Sequence, residues 1–189
     1  MTDNNYDFTL IKAGLLVDGN GGNNFQKASV LIKDGLIKEV GNQESVLAPE
    51  GATVKVLDYG DKTILPGLID CHVHLNGIGD GRVGNDLVTL PDEVLALQSA
   101  KNARRHLFSG VTTVRDCGAK NNTTFMLRKA VEMNITPSPR LILTGRPISI
   151  VGGHLGYFGE EATGEIECIQ SVRRLIKQGA DFIKITATG

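Results

Sequence analysis

Residues 63–74 read Thr63-Ile64-Leu65-Pro66-Gly67-Leu68-Ile69-Asp70-Cys71-His72-Val73-His74. A largely apolar run, read as a strand beginning at Ile64, leads into two histidines one residue apart. After this stretch, strands alternate with helices. Pro91 to Leu107 has helical spacing, with Leu90, Val94, Leu97, Ala100 and Leu107 near the 3.6-residue period. Asp92 and Glu93 in its first turn, and Arg104 and Arg105 near its end, suit the helix dipole. Gly110 is a stop signal before the Val- and Thr-rich strand Val111 to Arg115. Thr123 to Met133 reads as a helix and Arg140 to Thr144 as a strand. Gly145 to Gly159 reads as a long loop. Glu160 to Gln178 contains a third helix, with Ile166, Ile169, Val172, Leu175 and Ile176 expected on one side. Phe182 to Thr186 closes the series as a fourth strand. Single crossover helices between strands imply right-handed βαβ units and a parallel sheet. Four such strands fit half of a (β/α)8 barrel, and they fit a small open sheet equally well.

Upstream the reading is all-β. Phe8 to Val17, Ala28 to Lys33, Leu36 to Val40 and Thr53 to Leu57 are short apolar runs. The run Asp18 to Asn24 breaks the first from the second. Asp34-Gly35 between two apolar runs is a hairpin signal, because both central turn residues need positive φ. At about 55 residues this unit is small for a domain that stands alone.

The chain has 189 residues, 20 Lys plus Arg and 21 Asp plus Glu, for a formal charge of −1. That balance argues against a nucleic-acid binder or a charged tail. Glycine, at 23 residues, is abundant and Trp is absent, so loops and an aliphatic core are expected. The three separated cysteines do not form a disulfide framework. They are read as reduced thiols of a cytoplasmic protein. No secretory signal and no membrane-length apolar run is present.

His72 and His74 alternate to one face of their strand, at the end where parallel α/β folds build sites. Two imidazoles there suit a zinc-type ion; ordinary hydrogen bonding at a strand end is the other reading. Lys184 sits inside an apolar strand, where a bare cation is costly. It can snorkel from an edge, pair with Asp116 or Asp70, or react as the neutral amine with carbon dioxide to form a carbamate. His154, between Gly153 and Leu155 in the long loop, either reaches substrate or is merely exposed. His106 reads as a structural helix-end residue. Asp116 either orients a histidine or caps the next helix. Cys71, Cys117 and Cys168 read as packing residues. Gly79 to Gly84 matches G-x-G-x-x-G, but with Asn85 and Asp86 following it is not expected to open a helix, so it reads as a loop.

Pro66-Gly67-Leu68-Ile69-Asp70-Cys71-His72-Val73-His74-Leu75 resembles the signature of the amidohydrolase superfamily. Gly110 to Asp116 is similar to that superfamily's second barrel strand. Gly152-Gly153-His154 and Asp181 to Gly189 resemble the imidazolonepropionase-related, Xaa-Pro dipeptidase (prolidase-like) branch. The resemblance runs over nearly the whole chain. It implies an α/β fold, the N-terminal part of a (β/α)8 TIM-barrel metallo-hydrolase. A small β-sandwich-like lobe precedes the barrel, with residues 1–61 as lobe and 62–189 as barrel strands one to four. It implies that His72 and His74 are metal ligands and that Lys184 is a carboxylated lysine bridging two divalent ions, usually Zn2+. It implies a substrate-binding role for His154. The implied reaction is hydrolysis of a C–N bond in an amide, a small dipeptide or a cyclic amide, through a bridging hydroxide. The substrate is a small molecule, with no nucleic acid or membrane involved.

In the family, two further histidine ligands come from the fifth and sixth strands, and an aspartate that is both ligand and general base from the eighth. The general-base Asp is therefore expected beyond Gly189, and the chain as given is expected to be truncated and inactive alone. The alternative is a short, non-catalytic binding or structural protein. That form would need a homo-oligomer or a partner to cover its open sheet edges.

Overall fold

The structure, a computed structural model, describes residues 6–79, 84 and 86–187. The chain divides into two compact units, Met1–Pro66 and Gly67–Gly189.

The first unit is one five-stranded sheet: β1 (Phe8–Leu16), β2 (Phe25–Lys33), β3 (Leu36–Asn42), β4 (Val54–Asp58) and β5 (Thr63–Ile64). The order is β3-β2-β1-β4, with β5 pairing the far end of β1. The β2–β3 turn carries φ of 52° at Asp34 and 73° at Gly35, so the Asp-Gly signal forms the left-handed turn it encodes. Leu10, Leu31 and Val46 form one buried cluster, and Leu16, Ala28 and Val30 another.

Thr63 and Ile64 correct one expectation. They lie parallel to Leu15 and Leu16 in the first sheet, so the strand carrying the histidines begins at Leu68 and not at Ile64. Pro66 interrupts the chain between them, and Gly67 passes so close to Thr112 that a Cβ there would collide with its side chain.

The second unit contains β6 (Leu68–Val73), α1 (Asp86–Thr89), α2 (Asp92–Phe108), β7 (Val111–Asp116), α3 (Thr123–Glu132) and β8 (Arg140–Leu143). It continues with β9 (Ile148–Ser149), β10 (Glu160–Glu161), α4 (Gly164–Gln178) and β11 (Ile185–Thr186). β6, β7 and β8 form a parallel sheet in chain order, as crossover helices require. Val73, Val114, Leu141 and Leu143 from the strands, and Leu75 just beyond β6, pack against Ala103 of α2 and Phe125 and Leu127 of α3.

The expected fourth strand, Phe182 to Thr186, is shortened and re-paired. Only Ile185 and Thr186 are in a ladder, and they pair with β9. Side chains take the amides that a longer ladder would use. Leu143 N donates to Asp181 Oδ2 at 2.8 Å, and Lys184 N donates to Thr144 Oγ1 at 2.9 Å. The segment still lies along β8, since Asp181 N donates to Leu143 O at 2.8 Å. The apolar side expected for α4 is only partly covered. Leu175 is buried, whereas Ile166 and Ile176 are exposed, because the helix packs through the narrow Ser171–Leu175 row. No helix among the described residues is long and apolar enough to cross a membrane.

Candidate metal centre

The centre is built where β6 ends. Asp70 faces Val114 and Val73 faces Asp116, so three steps on β6 oppose two on β7. This bulge carries Cys71 and His72 out of register and re-aims their side chains. Arg115 Nε donates to Cys71 O at 2.7 Å, and Cys117 N donates to Val73 O at 2.8 Å, closing the ladder on either side. The His72 and His74 rings stand 5.5 Å apart between centroids, tilted by 56°. Regular alternation suggested that they point together; the structure brings them together across an irregular strand.

His74 is half-buried, and its Nδ1 lies 2.8 Å from Gly118 O. A carbonyl can only accept, so Nδ1 carries the proton and Nε2 keeps its lone pair. Burial holds the imidazole below its ordinary pKa, against the Gly118 bond. The positive fields of His72, Lys184 and His154 lower it further. The ring is thus neutral near pH 7, as a ligand must be.

His72, Lys184 and His154 each act electrostatically on His74, His72 being the one in ring contact with it. Among the described residues no carboxylate pairs with Lys184, so neither pairing considered from the sequence forms. Asp70 Oδ1 instead accepts from His72 N at 3.1 Å. His154 is exposed, and its carbonyl accepts from Thr186 Oγ1 at 2.9 Å. The loop carrying it is anchored: Leu155 and Phe158 are buried with Leu87 and Leu95. Nearby, Glu160 binds Arg146 at 2.7 Å and Arg174 at 3.1 Å. Phe158 meets His74 edge-on, with centroids 6.4 Å apart. His106 sits in the last turn of α2, and with Asp70, His72 and His74 it lines a concavity of about 550 Å³.

Asp116 does not cap the next helix, whose preceding residue is Asn122, and its carboxylate has no direct bond to an imidazole. Its carboxylate is fully buried and accepts from Leu75 N at 2.7 Å and Gly118 N at 3.0 Å. Burial outweighs these donors and pushes its pKa up to about 7. Between the unfolded value of about 3.9 and the folded one, the native state holds the extra proton, so stability falls as pH rises. Urea midpoints of the wild type should therefore drop more between pH 5 and pH 8 than those of Asp116→Asn. Parallel pH profiles would refute this.

The loop at Gly79 to Gly84 lies largely outside the described residues, which omit 80–83 and 85. A four-residue helix, α1, does follow it, contrary to the expectation that none opens there. Gly118, Thr144 and Phe158 were not singled out from the sequence. The signal available was the Asp-Cys-Gly run that begins on the last residue of β7. No three of His, Cys, Asp and Glu cluster as metal donors among the described residues. The donors in contact there are the two imidazoles, a pair whose chemistry suits a divalent ion of the zinc type, with Lys184 in electrostatic reach of His74.

Comparison with known proteins bears on the family and the fold. The model of the amidohydrolase family matches residues 63–189. The ochratoxinase of Aspergillus niger is 27% identical over 212 residues, covering 96% of this chain and 42% of that protein. An amidohydrolase crystal structure is similar at 33% identity and a TM-score of 0.79, covering 94% of this chain and 46% of the other. A prolidase complexed with N-methylphosphonate-L-proline is similar at 28% identity and a TM-score of 0.80, with the same coverage. The chain thus spans less than half the length of these relatives. Its fold is the N-terminal part of their barrel, preceded by the small β-lobe. This chain belongs to the amidohydrolase family.

Proposed function

We propose that this chain supplies the first half of a metal-dependent hydrolase that cleaves C–N bonds in small molecules: amides, Xaa-Pro-type dipeptides or cyclic amides. The observation that carries the reading is His74, neutral, with Nε2 free, beside His72 and in the field of Lys184. In this reading His72 and His74 hold a metal ion. Lys184, as the N6-carboxylate, holds that ion and a second one, and His154 meets the substrate. The family generally binds divalent metals, and the donor set favours Zn2+. When bound, such ions activate water and polarise the scissile carbonyl. The chain's own residues fix the ligand imidazole, pack Phe158 edge-on against it, and present His154 from an anchored loop. In the assembled enzyme residues 1–61, extended by Thr63–Ile64, form the lobe and the remainder the barrel strands. Three free cysteines suit a cytoplasmic setting.

Asp70, the carboxylate that lines the concavity with His72 and His74, is engaged by the His72 amide through Oδ1 and precedes the histidines on their own strand. The 189-residue chain should therefore show no zinc-dependent turnover of Xaa-Pro dipeptides or N-acyl amino acids. Clear turnover would overturn this. Incubation with 13C-bicarbonate and zinc should give a carbamate carbon signal that Lys184→Ala lacks; an identical signal from both proteins removes Lys184 from the role. A second reading is a non-catalytic structural form. It draws on apolar side chains left open on the helices, such as Leu97 at 73% and Phe108 at 71% exposure. Light scattering tests it: a stable, well-folded dimer supports this form, and a monomer or aggregate does not.

A further inference from the structure

Asp116 is a charge-bearing group in the second unit, fully buried, and the proposed chemistry does not use it. Its two oxygens reach the two backbone segments that frame His74. Oδ2 accepts from Leu75 N, the residue directly after the histidine, at 2.7 Å. Oδ1 accepts from Gly118 N at 3.0 Å. The carbonyl of that same Gly118 then meets His74 Nδ1 at 2.8 Å. One carboxylate thus ties both ends of a closed path: His74 main chain, Leu75 amide, carboxylate, Gly118 amide, Gly118 carbonyl, His74 ring.

The path is well enclosed. Gly118 has a φ of 153°, and a Cβ there would lie 3.3 Å from His74 Cε1 and 3.2 Å from Pro147, so only glycine brings its carbonyl this close to the ring. The turn after His74 is held from the other side too. Asn102 Nδ2 donates to Leu75 O at 2.9 Å, and the buried Asn76 accepts from Lys120 N at 2.7 Å. With its surroundings fixed, the ring has one carbonyl to face and one tautomer to adopt.

We infer that Asp116 is a positioning residue: through the amides of Leu75 and Gly118 it aims the Gly118 carbonyl at His74 Nδ1 and so fixes the tautomer that leaves Nε2 free. The ring is oriented by a carboxylate that it never touches. Imidazole ligands commonly use a direct carboxylate or carbonyl partner; here the carbonyl is the partner and the carboxylate sets the carbonyl. This inference rests on the proposed role of His74 only where metal binding is read; its first readout needs no metal.

The test is 15N NMR of the imidazoles in the metal-free 189-residue chain at pH 8. In the wild type His74 should be protonated at Nδ1, the minor form of free histidine, and the Leu75 and Gly118 amides should exchange slowly. In Asp116→Asn, which presents a donor where one acceptor stood, His74 should shift toward the Nε2-protonated form while His72 is unchanged. Val114→Ala is the control. It removes an equally buried side chain of the same strand but none of these bonds, so it should lower stability and leave the tautomer alone. Zinc affinity by calorimetry should fall about 10–100-fold in Asp116→Asn, as for other groups that orient ligands. An Nε2-protonated His74 in the wild type overturns the inference, as does an unchanged tautomer in Asp116→Asn. A tautomer shift in Val114→Ala equal to that in Asp116→Asn does so too. Should neither variant fold, the wild-type tautomer and amide exchange decide. A wild type that shows the Nδ1 tautomer but binds no zinc leaves the relay standing and removes the metal-ligand reading instead.

Discussion

His74→Ala should weaken zinc binding by the 189-residue chain about 100-fold, equivalent to about 3 kcal/mol. The size follows from what this one ring brings to the centre. His72 is exposed and Lys184 ligates in the proposed reading only as the carbamate, so neither is a ready ligand alone. His74 is half-buried, held neutral by burial, and pre-oriented by Gly118, so little freedom is lost when it binds. Removing it leaves a single exposed imidazole. His106→Ala provides the comparison, because His106 lines the same concavity from α2 without a contact to the His72–His74 pair. Its zinc isotherm should match that of the wild type. Equal losses for both variants would mean that the concavity collects zinc non-specifically and that β6 holds no defined ligand pair.

Gly145→Ala should be strongly destabilising, costing roughly 3 kcal/mol. Two effects add. Gly145 has a φ of 73°, a conformation that an L side chain adopts only with strain. A Cβ there would also lie 2.6 Å from Phe125 Cζ and 2.7 Å from Cε2. Phe125 is 6% exposed and wedged in the main core, so it cannot swing away. With a urea dependence of about 1–3 kcal/mol per molar, the midpoint should fall by about 1–3 M. Gly152→Ala separates the terms. Its φ is 76°, and nothing lies within 4 Å of a Cβ built there. It should lose only the backbone part, about 1 kcal/mol. Equal losses at the two glycines would show that Phe125 yields.

Local order was readable wherever a residue's neighbours in sequence are also its neighbours in space. The Asp34-Gly35 turn and helices α2 and α3 follow from short-range pattern, as does the β6-β7-β8 alternation. Thr63–Ile64 misled because an apolar run carries no label for its partner, and its partner is β1, about fifty residues back. Phe182 to Thr186 misled for a related reason. The strand is broken by hydrogen bonds from backbone amides to the Asp181 and Thr144 side chains, which period counting does not see. At the centre, His72, His74, Lys184 and His154 were visible as chemistry-bearing residues. Gly118 was not, because its part is played by a backbone carbonyl that every residue has. Asp116 was visible as a site-side acid, but its targets are two amides, one of them 41 positions away.

The β6-β7-β8 sheet ends on one side at β6. Leu68 and Ile69 there are 57% and 66% exposed, and the charge and bulge that blunt the edge begin only at Asp70. The apolar start of such an edge can template pairing between copies once the chain opens. Heating should therefore drive irreversible association, with apparent melting temperatures that move with scan rate and protein concentration. For this chain, thermal ranking of variants would report how fast the edge is released, and chemical denaturation at low protein concentration would report how firmly the core is held.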